Sequence, residues 1–249
     1  MNLNLESYLN MKQKNNKFFI AIIPAKKKSS RFRNKNLKVF FDNYSLLELS
    51  IRNAIKVKKI NEIYVSSDSR IAKNVARKYK VNFIERPKKY CSIKATANDV
   101  IHHSIKIIKQ KKQKYENIIL IYLQPTSPLR NSRHINSAIN LFKKKKTNVI
   151  SVNKEKKSIL KSIMITKGKI KSIFKEKDVS SNFQKLQKNY YPNGSIYIFS
   201  INDFLRRKTV PIDGSVPYFM SKMDSIDIDD SYDFNMAQII IKNKLNEKF

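Results

Sequence analysis

The sequence predicts an α/β protein built on a mainly parallel sheet. Three observations support this: short apolar, β-branched or aromatic runs recur along the chain, amphipathic helical patterns lie between the early ones, and some runs end in polar or proline-containing loops. Strands that alternate with helices imply parallel pairing through right-handed crossovers. Ligands of such sheets bind outside the C-terminal strand ends, where those loops converge.

The predicted strands are Phe18–Ile23, Glu62–Ser66, Val81–Ile84, Ile118–Leu123, Val149–Val152 and Ser195–Phe199. Leu46, Leu47, Ile51, Ala54 and Ile55 recur at helical spacing, as do Ile71, Val75, Ala76 and Tyr79, with Asp68 or Ser69 as a candidate cap. Two further helices are expected over Asn98–Lys109 and Asn131–Phe142, and a last one over about Tyr232–Leu245. Between Ser158 and Lys188 the pattern changes to short alternating pieces around Lys167-Gly168, which reads as a polar, lysine-rich hairpin leaving the main sheet. One domain over 17–249 with an inserted excursion, preceded by a polar extension over 1–16, is the simplest organisation.

With 249 residues and 41% hydrophobic content, the chain can bury one sizeable core. Its net charge of +33 suggests polyanion binding, but the cations are dispersed along helices, and the chain has only three glycines and no tryptophan. Solvated lysine-rich surfaces are therefore the simpler account. A single cysteine, Cys91, excludes an internal disulfide framework and suits a reducing compartment. No apolar run approaches the roughly 20 residues that span a bilayer. The first residues lack a signal-type apolar region, so a cytoplasmic protein is expected.

Four segments carry candidate chemistry. The first, Lys26 to Lys38, follows the first strand and holds seven cations in thirteen residues without glycine or carboxylate. It reads either as a triphosphate cradle or as a solvated charge run; the absence of Gly-x-x-x-x-Gly-Lys excludes a Walker loop. "LQPTSPLR", Leu123–Arg130, places Gln124, Thr126 and Ser127 at a strand end between two rigid prolines, or else forms a turn in which Ser127 or Asn131 caps the next helix. In "YYPNGSIYIF", Asn193-Gly194 is either a turn or an amide facing the ligand cleft. In "SIDIDD", Asp227 and Asp229 share one face of an extended segment and suit Mg²⁺, whereas Asp230 reads as an N-cap. His102, His103 and His134 are not at metal-ligand spacing, and Cys91 has no histidine partner nearby in sequence.

Taken in order, "IIPAKKKSSRFRNKNLKVF", "RP" before a threonine-containing helix start, "LQPTSPLR", "PNGSIYIF" and "DSIDIDDSYDF" closely resemble the CMP-sialic acid synthetase family, the acylneuraminate cytidylyltransferases, with relatives acting on legionaminic and pseudaminic acids. The resemblance runs from about Phe18 to the C-terminus. It implies a Rossmann-like three-layer α/β/α nucleotidyltransferase fold with a mixed, mainly parallel sheet and a small inserted dimerisation region at about 151–190. The implied reaction transfers CMP from CTP to a nonulosonic acid with Mg²⁺ as cofactor, releasing pyrophosphate, for surface glycan biosynthesis by a cytoplasmic homodimer.

Residue by residue, the resemblance implies CTP binding by Ala25, Lys26, Ser29, Ser30, Lys35, Asn36 and Thr96, and sugar binding by Gln124 and Asn193. Asp227 and Asp229 would hold the metal and, with Lys35, serve catalysis. The chain departs from the family pattern at Lys26 (arginine in the family), Lys28 (often glycine), Ser30 (lysine), and Phe183 and Tyr191 (commonly arginines). The competing reading is a basic nucleic-acid-binding protein on a degenerate transferase fold. Retention of both Asp227 and Asp229 in a chain with only 19 acidic residues argues against it.

Overall fold

The computed structural model describes residues 17–27, 32–92, 94–112, 117–155 and 158–246. The central sheet contains β1 (Phe18–Pro24), β4 (Glu62–Ser67), β5 (Asn82–Glu85), β6 (Ile118–Tyr122), β7 (Val149–Lys154), β10 (Tyr190–Ser200) and β11 (Val216–Phe219). Their spatial order is β11-β7-β10-β6-β1-β4-β5. β1 pairs in parallel with both β4 and β6, β4 with β5, and β7 with β11; β10 runs antiparallel to β6 and β7. The helices are α1 (Leu46–Ile55), α2 (Arg70–Lys78), α3 (Ala97–Lys111), α4 (Ser132–Lys145), α5 (Glu176–Ser180), α6 (Ile201–Arg207) and α7 (Ser231–Asn246). Two small hairpins, β2 (Val39–Phe41) with β3 (Tyr44–Ser45) and β8 (Ile163–Thr166) with β9 (Lys169–Ser172), lie outside the sheet.

Strand alternation builds the three layers. Phe19, Ala21 and Ile23 of β1 pack with Leu47, Ile51, Ala76, Ile135 and Ile139 from α1, α2 and α4. The intervening Ile20 and Ile22 face Ile101, Ile105, Ile201 and Phe204 from α3 and α6. Fully burying each such isoleucine contributes roughly 1.5–3 kcal/mol. A third cluster, Phe40, Leu46, Ile228, Phe234 and Ala237, fastens α7 against the β2–β3 hairpin.

Helix starts follow side-chain chemistry. Ser45 with Glu48, Thr96 with Asp99 and Asn131 with His134 form reciprocal caps at α1, α3 and α4. Of the two candidate caps for α4, Asn131 serves and Ser127 does not. Ser69 stands at the N-cap of α2 but makes no capping bond. Asp230 accepts from the Asp233 amide, as an N-cap does.

Several boundaries differ from the sequence reading. β7 continues to Lys154 and β10 already begins at Tyr190, so the excursion occupies 155–189 rather than 151–190. Tyr190, Tyr191 and Pro192 pair with Lys154, Asn153 and Val152, after which the register slips until Tyr197 meets Ile150. Asn193-Gly194 is thus a bulge within one long strand, not a chain reversal. β11 and α6 were not expected; β11 is a short, half-exposed edge strand containing Pro217, which weakens its strand signal. The extension 1–16 lies outside the described residues. No helix among the described residues is long and apolar enough to cross a membrane.

Candidate active site

The C-terminal ends of β1 and β6 and the N-terminal part of antiparallel β10 meet at one sheet edge. A cleft of about 380 Å³ opens there, lined by Lys26, Lys35 and Asn36 from the basic loop and by Gln124, Pro125 and Thr126 from the loop after β6. Arg86, Tyr90, Thr96, Tyr122, Asp227 and Asp229 complete the parts of its wall that bear on chemistry. A larger cavity of about 660 Å³ lies against Pro128–Asn131 and α1, yet contains none of the expected site residues.

The basic loop is anchored at both ends. The Ala25 amide donates to Ser66 O at 2.9 Å, so this buried residue fixes the loop's exit and presents no side chain to the cleft. The Lys27 amide donates to Asp68 Oδ1 at 2.7 Å and its side chain is exposed, as is that of Arg33. Asn34 adopts a left-handed φ of 58°, and its carbonyl accepts from the amides of Leu37 and Lys38. This turn aims the intervening Lys35 and Asn36 inward. Ser29 and Ser30 lie outside the described residues.

Lys35 Nζ donates to Ile228 O and stands 3.5 Å from Asp229 Oδ1, with its side chain only 12% exposed. Asn36 is buried, its carbonyl receives the Leu47 amide, and its Oδ1 has no hydrogen-bond partner among the described residues. A buried acceptor left open at a cleft wall is costly unless a ligand donor fills it.

Alternation explains the acidic pair. Ile228 is fully buried against Phe40, Leu46 and Phe234, and its amide donates to Thr126 O at 2.8 Å. Its neighbours Asp227 and Asp229 therefore share the opposite, cleft-facing side. Burial pushes the Asp227 carboxyl above its ordinary value; the Thr126 hydroxyl and Lys35 pull it back, while Asp229 and Asp233 add repulsion. Two crowded carboxylates form a hard-oxygen donor pair whose repulsion a divalent cation would relieve. Among the described residues no group of three or more His, Cys, Asp and Glu side chains gathers as a metal nest, so further ligands would come from water and substrate phosphate.

Asn193 does not line the cleft. Its Oδ1 accepts from Ser151 Oγ and the Ser195 amide, and its Nδ2 donates to Ser225 Oγ at 2.8 Å. These bonds hold the amide to the β10 bulge. Gly194, with φ +72°, takes the forward position: a Cβ there would lie 2.6 Å from Gln124 Oε1 and 3.6 Å from Asp227 Oδ2.

A family model described as Cytidylyltransferase matches residues 20–236. The chain belongs to this cytidylyltransferase family. Over 231 residues it is 33% identical to an N-acylneuraminate cytidylyltransferase of Escherichia coli O18:K1:H7, covering 92% of this chain and 53% of that protein. A pseudaminic acid cytidylyltransferase of Campylobacter jejuni is 26% identical over 226 residues, covering 90% of this chain and 96% of that one. The chain spans about half the length of the first of these and of the similar Streptococcus agalactiae relatives. A solved CMP:2-keto-3-deoxy-manno-octonic acid synthetase complexed with CTP superposes with a TM-score of 0.65 at 11% identity, covering 91% of this chain and 99% of that one. At that identity it supports the fold alone. Nothing in these comparisons supports the nucleic-acid-binding alternative.

Within this family member, some cleft residues escaped the sequence reading. Arg86 donates through Nη2 and Nε to Ser66 O and Oγ; burial presses its pKa down, and Tyr122, Cys91 and Asp68 offset this in part. Its signal was the "RP" dipeptide. Tyr122 lies beside a segment already singled out, but residue type alone did not separate it from its neighbours. Thr96 lines the cleft, while its hydroxyl is engaged with Asp99 in the cap of α3.

Proposed function

We propose that this chain is a nonulosonic acid cytidylyltransferase: CTP and a sialic-type α-keto acid sugar give the CMP-sugar and pyrophosphate. The sugar's anomeric hydroxyl oxygen attacks the α-phosphorus, the bond from that phosphorus to the α,β-bridging oxygen breaks, pyrophosphate leaves with that oxygen, and the hydroxyl proton passes to solvent. The observation that carries the reading is the meeting of Lys35 with Asp229 and Ile228 O at the wall of a cleft where Asn36 keeps an open acceptor.

The chain's own residues divide the work. Lys26 and Lys35 hold the triphosphate and offset charge that develops during transfer, and the N-terminus of α3 at Thr96 adds its partial positive charge. Asn36 Oδ1 accepts a hydrogen bond from the nucleotide. Gln124, pressed between Gly194 and the cleft, orients the sugar acid. Asp227 and Asp229 would hold Mg²⁺, which when bound screens phosphate charge and lowers the pKa of a coordinated hydroxyl.

Homodimerisation is proposed through the β8–β9 excursion, where Ile165 and Ile170 are 76% and 72% exposed on a two-stranded hairpin. A cytoplasmic setting is proposed with it, since CTP is a cytoplasmic metabolite and Cys91 is a free thiol. The test is pyrophosphate release from CTP and Mg²⁺ across sialic, legionaminic and pseudaminic acids. Release with one of them, abolished by Asp227→Ala, is the expected result; no release with any of them overturns the proposal.

A further inference from the structure

The loop after β6 and the bulge of β10 face each other across Gln124 and Gly194, and one buried side chain holds both. Arg130 is 1% exposed and has no carboxylate partner among the described residues. Its Nη1 donates to Gln124 O and to Ser195 O, both at 2.8 Å. Its Nη2 donates to Ser50 Oγ of α1 at 2.8 Å. The residue's own carbonyl is also fixed, accepting from Asn53 Nδ2 of α1 at 3.0 Å. The same helix receives the basic loop, because the Leu47 amide donates to Asn36 O at 3.0 Å.

Burying a guanidinium without a counter-ion is expensive, and burial indeed pushes its pKa down, to about 9. A core position needing only volume would be filled more cheaply by leucine or methionine. What the cost secures is geometric. The two hydrogens on Nη1 each satisfy a backbone carbonyl, one part-buried and one buried, on either side of the Gln124–Gly194 contact. Ser195 is pinned from both directions, its amide by Asn193 Oδ1 at 3.2 Å and its carbonyl by Arg130. The Gln124 side chain reaches across to Gly194, its Oε1 lying where a Cβ on Gly194 would come within 2.6 Å.

We infer that Arg130 is a positioning residue for acceptor-sugar binding and transfer: its guanidinium sets the spacing of Gln124 against Gly194 and Asp227 without touching either substrate. This rests on the proposed cytidylyltransferase reading. A lysine cannot replace it, since one ammonium does not reproduce the planar fork that reaches Gln124 O, Ser195 O and Ser50 Oγ together.

The experiment measures steady-state kinetics for both substrates, with direct CTP binding by calorimetry, on wild type, Arg130→Lys, Arg130→Met and Ser50→Ala. For Arg130→Lys the expected result is kcat/KM for the sugar acid reduced about 100-fold, the scale of an ångström-level misplacement, with CTP affinity within about twofold of wild type. Ser50→Ala, which removes only the Nη2 anchor and leaves Arg130 in place, should raise the sugar KM several-fold in a fully folded protein; it carries the test if the Arg130 variants do not fold. Unchanged sugar kinetics in folded Arg130→Lys and Ser50→Ala, or equal losses for CTP and sugar, would overturn the inference. An inactive wild type that still binds CTP would instead refute the transferase reading.

Discussion

Gly194 and Gln124 meet closely: a β-carbon at residue 194 would stand 2.6 Å from Gln124 Oε1, so the tip of Gln124 would have to swing aside. The bulge of β10 and the loop after β6 are in contact there, with Asp227 Oδ2 a further ångström away.

Gly194→Ala is therefore expected to act twice. The left-handed φ of +72° costs roughly 1–2 kcal/mol for an L-residue, seen as a lower midpoint in urea. The displaced Gln124 should also reduce kcat/KM for the sugar acid by more than that stability loss explains. Wild-type sugar kinetics in a destabilised Gly194→Ala protein would show that the contact serves folding alone.

Asp227 supplies a pH-dependent prediction. Its pKa in the folded chain is raised, chiefly by burial, so between the unfolded and folded values the native state keeps a proton that the unfolded state has lost. Stability then falls as pH rises through that window, by an amount that solvent screening reduces, because Asp227 is an exposed residue despite its crowded surroundings. Asp227→Asn should raise Tm at pH 7 in the presence of a chelator, with the gain shrinking as pH is lowered, while activity is abolished. Added Mg²⁺ should raise the wild-type Tm at pH 7 and leave Asp227→Asn unmoved; an equal response from both proteins would count against this site.

Lys35 joins the basic loop to the acidic segment through Ile228 O and Asp229. Lys35→Met keeps much of the side-chain volume but removes the charge, and turnover should fall by about 10²–10³-fold. Isothermal titration should show weaker CTP binding as well. Unimpaired CTP affinity with normal turnover would assign Lys35 to fold maintenance only.

Ile228 is the apolar pin between the two aspartates, fully buried with Phe40, Leu46 and Phe234. Ile228→Ala should cost about 2–5 kcal/mol in chemical denaturation. It should also weaken divalent-cation binding, because the backbone that aims both carboxylates loses its anchor.

On the excursion, Ile165→Asp with Ile170→Asp should convert a dimer to monomers in size-exclusion chromatography with light scattering. A dimer that survives both charges, or a wild type that is monomeric at micromolar concentration, would refute the hairpin as its interface.

The core strands and amphipathic helices were legible because burial imposes period on sequence. The Phe18–Ile23 run, and the helical spacing of Leu47, Ile51 and Ala54, leave few other placements. β11 was not legible, since a half-exposed edge strand carrying Pro217 lacks a sharp pattern. The acidic pair could be read because two carboxylates flanking a buried isoleucine must share a face. Asn193 could not, because an amide that braces a bulge and an amide that meets a ligand are written with the same letters. Arg130 was hidden for a similar reason: its partners are carbonyls far apart in sequence, and carbonyls carry no sequence signature.

The reversed direction of β10 has one more result. Lys154 and Tyr190 are register partners, so the chain leaves the sheet and rejoins it side by side. Replacement of the 155–189 excursion by a tight turn would convert β7 and β10 into an ordinary hairpin without rethreading any strand. Because that seam lies at the same sheet edge as the cleft, exchanging the excursion would leave in place the strands that carry the cleft residues.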